Sequence, residues 1–163
     1  MKKLSVFFIL VLMSTTSLFA ADKGIVVDVS LSPAGSFQIK SAKVKGKMVK
    51  SGDGKIRSDG LKVSVRSLKT GIDMRDDHLK KRLMHKKFKK VEIVKAIGAK
   101  GRGVGIILVK GIKKKFKFSY KEMGNMIKAK FKLSLKDFKI KDLSYMGVGV
   151  EDKVTVIATV PLK

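Results

Sequence analysis

The sequence predicts an all-β fold, and three observations carry this prediction. Apolar and polar residues alternate strictly over residues 115–121 and 128–136. A period of two is that of a β-strand, whose side chains point alternately to opposite faces. Turn signals recur at short intervals along the chain, which favours a sandwich or barrel over helices. The chain has no cysteine, so packing and sheet hydrogen bonds rather than disulfides must hold the fold together.

Eight strands are predicted, each bounded by turn signals. They cover residues 24–31, 36–49, 55–68, 88–96, 104–109, 114–120, 126–135 and 153–161. The first three are separated by a turn at Pro33 and by a hairpin signal at residues 51–54. In the third strand, Leu61, Val63 and Val65 alternate with polar residues. Eight strands is about the number whose closure leaves an interior just wide enough for side chains or one small ligand.

One segment breaks the alternation and predicts a short helix over residues 73–84. Leu79, Leu83 and Met84 recur there at helical spacing. Asp73 precedes them and is a residue that can cap a helix. We therefore expect one helix between the third and fourth strands.

The densest cluster of potential metal ligands lies in this helix, at Asp73, Asp76, Asp77 and His78. Negative charge near a helix N-terminus is stabilising by up to ~1 kcal/mol, so the carboxylates are interpreted as helix-start residues. His78 and His85 share a helical face but lack a third ligand, which is a weak basis for zinc. No cysteine and no Gly-x-Ser-x-Gly turn is present for nucleophilic chemistry. The prediction is a protein without metal or catalytic site.

The residues after the predicted helix comprise a glycine-rich segment and strands with alternating polar and apolar residues. Gly98, Gly101, Gly103 and Gly105 precede a predicted strand rather than a helix, so they are interpreted as a flexible connection and not as a dinucleotide-binding loop. The alternating strands that follow each have one lysine face and one apolar face. A barrel of such strands either packs solid or encloses an apolar molecule.

The first 21 residues have the pattern of a secretory signal peptide. Lys2 and Lys3 precede an apolar run over residues 4–13, and a small, polar segment ends in Ala20 and Ala21. The apolar run is about half as long as the roughly 20 residues that a helix needs to cross a bilayer. We expect export with cleavage near Ala20 or Ala21, and a single domain over residues 22–163.

The chain is strongly basic, with 38 Lys and Arg against 13 Asp and Glu and a formal net charge of +25. Such a field attracts nucleic acid and acidic lipid head groups. A nucleic-acid site usually combines a basic groove with exposed aromatic side chains, whereas here the aromatic residues alternate with the lysines and face the other way. The charge is interpreted mostly as a solvated outer face. An anionic membrane surface is a second candidate partner, and nucleic acid is not expected.

The segment around the predicted helix contains a specific motif. Thr70-Gly71 is followed by Arg75-Asp76-Asp77-His78-Leu79, which matches a Thr-Gly and Arg-Asp-x-His-Leu pattern between a strand and a short helix. Together with residues 32–37, 109–112, 134–140 and 145–152, this motif resembles the YceI-like family of periplasmic polyisoprenoid-binding proteins. Two positions depart from the family pattern. Phe88-Lys89 stands where members often have Tyr-Pro, and lysines replace a Pro after Ile112.

The resemblance implies an eight-stranded antiparallel, lipocalin-like barrel with one short helix, located in the periplasm. It would hold an isoprenoid or similar amphiphilic lipid non-covalently, with no other cofactor. A prenyl chain needs only an apolar lining, because each buried methylene is worth roughly 0.8 kcal/mol. The candidate lining residues are Phe37, Ile39, Val63, Val65, Phe116, Phe118, Phe131 and Leu133.

Two further candidates, Arg75 and His78, could contact a lipid head group. The alternative is that they hold the helix against the barrel together with Asp76. An alternative function is also open, namely a basic envelope protein that binds anionic lipids or polymers through its lysines and has a solid core. Monomer and homodimer are both compatible with the sequence.

Overall fold

The structure is a computed structural model that describes residues 22–141, 143–145 and 147–163. The predicted signal peptide, residues 1–21, lies outside the described residues. The strands are β1 (Gly24–Ser32), β2 (Ser36–Ser41), β3 (Val44–Lys45), β4 (Val49–Lys50), β5 (Ile56–Ser58), β6 (Leu61–Ser64), β7 (Lys90–Ala99), β8 (Arg102–Val109), β9 (Ile112–Met123), β10 (Met126–Ser134), β11 (Ser144–Tyr145), β12 (Val148–Val150) and β13 (Lys153–Pro161). The helix α1 covers Asp73–Arg82, and single 3-10 turns cover Val65–Ser67 and Lys136–Phe138. None of the helices in this part of the chain has the length and apolar character needed to cross a membrane.

The strands form one antiparallel sheet that winds around the interior. Its order is β11-β12-β1-β13-β10-β9-β8-β7-β5-β4, with β2 beside β1, β6 beside β7 and β3 beside β6. The all-β class, the antiparallel pairing and the short helix are thus confirmed. The barrel differs from the prediction in strand number and closure, because the described residues form thirteen strands rather than eight, in a sheet whose ladders do not close completely. Across the gap between β2 and β6, backbone hydrogen bonds of 2.7 and 2.9 Å link Lys40 and Lys69.

Three of the five extra strands arise because two long predicted strands are broken, and the other two, β11 and β12, lie where no strand was predicted. The second, over residues 36–49, is divided among β2, β3 and β4, and the third, over residues 55–68, among β5, β6 and a 3-10 turn. Gly46 lies at one break, with φ of +102°, and a Cβ there would sit 2.2 Å from the carbonyl oxygen of Gly60. The positive φ of Gly46 takes the chain out of the extended conformation, which ends the ladder that β3 forms with β6.

The alternation in β9 places its two faces as predicted. Phe116, Phe118 and Tyr120 are buried, whereas Lys115 and Lys117 between them are exposed. The apolar face therefore points into the interior and the lysine face towards water, as the cost of burying unpaired charge requires.

The glycine-rich segment is not the flexible connection that its sequence predicted. Gly98 belongs to β7, and Gly103 and Gly105 belong to β8, with only a tight turn between the strands. A Cβ on Gly103 would lie 2.3 Å from the ring of Phe118, and one on Gly105 would lie 2.7 Å from the ring of Phe116. These glycines make room for aromatic side chains from the neighbouring strand.

The helix begins at Asp73 as predicted, but its C-terminal end and its capping residue differ from the prediction. It stops at Arg82 rather than at residue 84, since Leu83 is the C-cap and Met84 has a left-handed φ of +51°. The prediction that Asp73 caps the helix is also wrong. Ile72 occupies the N-cap position, without a side-chain hydrogen bond, and Asp73 is the first helical residue.

Candidate functional site

An apolar cavity of about 1060 Å³ lies between the sheet and α1. This volume is at the upper end of the roughly 300–1,000 Å³ typical of ligand pockets. Side chains from β1, β2, β6, β7, β8, β10 and β13 line it, together with α1 and the segment that contains β11 and β12. Thirty of its lining residues are apolar, and the other five are Arg75, His78, Lys81, Arg82 and Ser144.

The cavity opens beside the N-terminal part of α1. Ile72, Met74 and Val148 line the cavity and are nevertheless 51%, 68% and 41% exposed, so they mark its mouth. At the same edge, the guanidinium of Arg75 lies 4.3 Å from the centre of the Phe37 ring. This cation–π contact fixes Arg75 at the rim while leaving the cavity wall below it apolar.

Most of the predicted ligand-binding residues are brought together at this cavity. The predicted residues that line it are Phe37, Ile39, Val63, Arg75, His78, Phe131 and Leu133. Val65, Phe116 and Phe118 are buried but lie outside the lining. Alternation in the sequence identifies the side chains that point inward. It does not show whether such a side chain borders the cavity or packs against another side chain.

Phe116 and Phe118 belong to an aromatic cluster that fills the interior next to the cavity. The ring centres of Phe116 and Phe131 are 4.5 Å apart, those of Phe116 and Phe118 are 5.8 Å apart, and those of Phe118 and Tyr120 are 6.0 Å apart. Phe131 also lines the cavity, so it marks the boundary. The interior is thus divided into a solid part and an open part.

Several lining residues on β8 and β13 were not predicted. Val154, Val156, Ala158 and Val160 all contribute to the wall from β13. Of the intervening residues of β13, Ile157 is as apolar as the lining residues, while Thr155 and Thr159 are polar but uncharged, so the contrast between the two faces is weaker than in the lysine-rich strands. The same holds for Ile107 and Val109 on β8, whose outward neighbours are Ile106 and Leu108. The period of two along each strand was the only sequence signal that could have identified these lining residues.

Asp76 anchors α1 to the sheet rather than facing the cavity. Its side chain is buried, with a residue exposure of 2%. One carboxylate oxygen accepts hydrogen bonds from the backbone N–H of Thr70 (2.6 Å) and from its hydroxyl (2.8 Å), and the other lies 3.1 Å from the ammonium of Lys69. Burial alone would raise the pKa of Asp76, but the hydrogen bonds from Thr70 and Lys69 outweigh burial and lower this pKa to about 2.

The acidic cluster in α1 has no geometry for a metal ion. Within the residues that the structure describes, no group of three His, Asp or Glu side chains converges on a common point. Asp76 is occupied by Thr70 and Lys69, and Asp77 lies 3.6 Å from Lys80 on the helix surface. The cluster therefore serves the anchoring and the surface of the helix.

Among the comparisons with known proteins, a family model identifies the family and solved structures show the same fold. The family model described as a YceI-like domain matches residues 14–162, and no curated protein shows significant similarity to the chain. The fold is similar to that of BcnA from Burkholderia cenocepacia, with a TM-score of 0.61 and 12% identity over 83% of this chain and 94% of that one. It is also similar to a polyisoprenoid-binding domain from Saccharophagus degradans, with a TM-score of 0.59 and 11% identity over 84% of this chain and 91% of that one. Since the family match extends over nearly the whole described domain, the chain belongs to the YceI-like domain family.

Proposed function

We propose that this protein holds the apolar chain of an isoprenoid or similar amphiphilic lipid in its cavity and carries it within the periplasm. The observation that carries the proposal is the cavity itself, which has about 1060 Å³ of space and thirty apolar lining residues. A cavity with this lining favours a hydrocarbon over water, since water needs two to four polar partners. Family membership and the likeness to a polyisoprenoid-binding domain support the same ligand class.

The energetics of such a ligand need no polar contact in the cavity. Ten buried methylene-sized groups contribute roughly 8 kcal/mol. The entropy lost when the ligand associates and becomes ordered opposes part of this favourable free energy. A longer chain compensates for that loss because it buries more carbon. The proposed role is binding, with no chemical step on the ligand.

The periplasmic location is proposed from the pattern of the first 21 residues. Protein recovered from the periplasmic fraction should begin near Asp22, as read by N-terminal sequencing. A full-length chain recovered with the cytoplasmic fraction would contradict this location.

The central test is native mass spectrometry of protein purified gently from the periplasm, followed by lipid extraction. The expected result is a bound amphiphile, released on denaturation, whose mass fits a prenyl or comparable lipid chain. Apo protein should also take up added polyprenyl compounds. If gentle preparations contain no amphiphile and added polyprenyl compounds do not bind, the proposed function is wrong.

A further inference from the structure

We infer that the outward face of β8 docks on the surface of an anionic lipid bilayer, with its apolar side chains entering the boundary between head groups and hydrocarbon. We name the three outward side chains, Val104, Ile106 and Leu108, the β8 stripe. None of them lines the cavity. The inference therefore goes beyond the proposed function and does not depend on it.

The first observation is that the β8 stripe faces outward and is uncovered. Ile107 and Val109 alternate with it and line the cavity, so the stripe residues point to the opposite face of the sheet. Val104 is 51% exposed, and Ile106 and Leu108 are partly exposed. Because β8 is paired on one edge with β7 and on the other with β9, this outward face is the surface that β8 offers to a partner.

The second observation is that the stripe is a continuous apolar row beside a continuous row of lysines. The facing pairs of β8 and β9 are Val104 with Lys117, Ile106 with Lys115 and Leu108 with Lys113. On the other side of β8, Ile97 of β7 is opposite Val104 and extends the apolar area. Single apolar residues are common on protein surfaces, whereas contiguous ones indicate an interaction site.

The third observation is that these lysines are available for an external anion. Within the part of the chain that the structure describes, Lys113, Lys115 and Lys117 form no ion pair. The carboxylate of Glu92 lies opposite Leu108, but it binds two other lysines at 3.4 and 3.2 Å. The three ammonium groups beside the stripe are therefore not neutralised by the protein.

An anionic bilayer matches both rows at once. Lysines near a membrane surface attract acidic head groups, and apolar side chains next to them can enter the head-group and acyl boundary. A second copy of the chain fits less well. The side chains of the stripe cannot supply the roughly 800 Å² per partner of a stable interface, and two such faces would bring lysines against lysines.

The test uses tryptophan as a reporter, because the chain contains none. Val104→Trp places a single indole in the β8 stripe. Val49→Trp is the matched control, since Val49 lies on β4 and is 44% exposed. Each variant is mixed with vesicles of phosphatidylglycerol and phosphatidylcholine in equal parts, with and without lipids brominated on their acyl chains. Vesicles of phosphatidylcholine alone are the lipid control.

We expect the fluorescence of Val104→Trp to shift to the blue with the anionic vesicles and to be quenched by the brominated chains. Val49→Trp should show neither change, and phosphatidylcholine alone should affect neither variant. Uptake of a lipid into the cavity would not imitate this result, because Val104 lies outside the cavity lining.

A second pair of variants measures the apolar contribution without changing the net charge. Val104→Ser/Leu108→Ser should bind the anionic vesicles at least about tenfold more weakly in a sedimentation assay, because it removes the side chains that enter the boundary. Val49→Ser/Met84→Ser removes two other exposed apolar side chains and should bind as the unaltered protein does. Circular dichroism checks the sheet in each variant, and if the stripe variant does not fold, the tryptophan pair decides alone.

Four results would overturn the inference. Vesicle binding with an unchanged Val104→Trp spectrum would mean that the lysines hold the protein while the stripe stays in water. Equal spectral changes in Val104→Trp and Val49→Trp would mean a contact without a preferred face. A blue shift that needs no lipid and grows with protein concentration would assign the stripe to a second copy of the chain. Failure to bind anionic vesicles would remove the docking surface and leave the proposed function, which is tested by the bound amphiphile, in place.

Discussion

At the scale of the single residue, Asp76 is the side chain on which the position of α1 depends most directly. It is buried, and its three hydrogen-bonding contacts come from Thr70 and Lys69, outside the helix. The Thr-Gly and Arg-Asp parts of the sequence motif therefore meet in space. The motif encodes the attachment of the helix and, through Arg75, the rim of the cavity.

Replacing this carboxylate should destabilise the protein. Asp76→Asn keeps the size of the side chain but removes its charge. It also replaces one accepting oxygen with an NH₂ group, which then faces the donors of Thr70 or Lys69. The expected loss in the free energy of unfolding is about 1–3 kcal/mol, measured by urea denaturation. Asp77→Asn is the matched control, since Asp77 is exposed, and its effect should be near zero. Equal effects of the two substitutions would contradict the anchoring role.

The same residue predicts a pH dependence of stability. The pKa of Asp76 in the folded protein is lowered to about 2 from an ordinary value of 3.8. The stability that its ionised form contributes is therefore fully present above the ordinary value and is lost as the pH falls towards 2. The difference in urea midpoint between the unaltered protein and Asp76→Asn should shrink over this range. A difference that stays constant down to pH 2 would argue against an ionised anchor.

At the scale of the element, the pairing of β8 with β9 explains why part of the interior is solid. Gly103 is opposite Phe118 and Gly105 is opposite Phe116 in the register of the two strands. The aromatic rings lie over the glycines because no Cβ stands in the way. A glycine inside a strand commonly marks such a close approach.

Adding a methyl group at this position should disturb the aromatic cluster. In Gly103→Ala the new Cβ would meet the Phe118 ring at 2.3 Å and the Ile97 carbonyl oxygen at 2.5 Å. We expect a loss of about 1–3 kcal/mol in stability, as for other overpacked cores, measured by thermal unfolding. Gly52→Ala is the control, because nothing lies within 4 Å of its Cβ position. An unchanged melting temperature for Gly103→Ala would mean that the cluster is looser than described.

The lysine face of β9 and β10 makes a separate prediction. Lys121 and Lys128 are exposed and directly opposite each other, an arrangement of like charges that is unfavourable unless an anion compensates it. We propose that this face contacts anionic membrane surfaces. The protein should sediment with phosphatidylglycerol vesicles but not with phosphatidylcholine vesicles, and salt should release it.

A charge-matched pair of variants tests whether this particular face is used. Lys121→Gln/Lys128→Gln should weaken vesicle binding roughly tenfold or more, given about 1 kcal/mol per lysine near a membrane surface. Lys45→Gln/Lys47→Gln removes the same charge elsewhere and should have a smaller effect. If the two variants are equally affected, the whole field of the protein is responsible rather than this face.

At the scale of the whole molecule, the open sheet and α1 together leave space that the side chains do not fill. The aromatic cluster occupies one part of the interior, and the cavity of about 1060 Å³ occupies another. A cavity of this size forgoes packing energy that a solid core would supply. Its retention is consistent with use by a ligand.

Filling the cavity should abolish lipid binding. Ala158 lines the cavity from β13, and Ala158→Phe would place an aromatic ring in the space for the prenyl chain. We expect at least about a tenfold loss of farnesol affinity, measured by titration calorimetry, with circular dichroism confirming the sheet. Thr159→Phe, the next residue along the strand, points to the opposite face and should bind farnesol normally. Unchanged binding by Ala158→Phe would place the ligand elsewhere.

The amino-acid sequence by itself determined the all-β class, the outward direction of the lysine face and the position of the helix, because strand and helix periods are local properties of the chain. It also identified five of the lining residues, among them Phe37 and Phe131, since inward-facing positions follow from a period of two, and the family resemblance added Arg75 and His78. Only the tertiary structure decided where the predicted strands break, as at Gly46, where a distant backbone segment approaches. It also decided that Phe116 and Phe118 fill the interior while Phe131 borders open space, and that Lys81 and Arg82 line the cavity. Whether an inward side chain meets another side chain or a cavity depends on how remote segments cross, and local sequence patterns carry no information on that crossing.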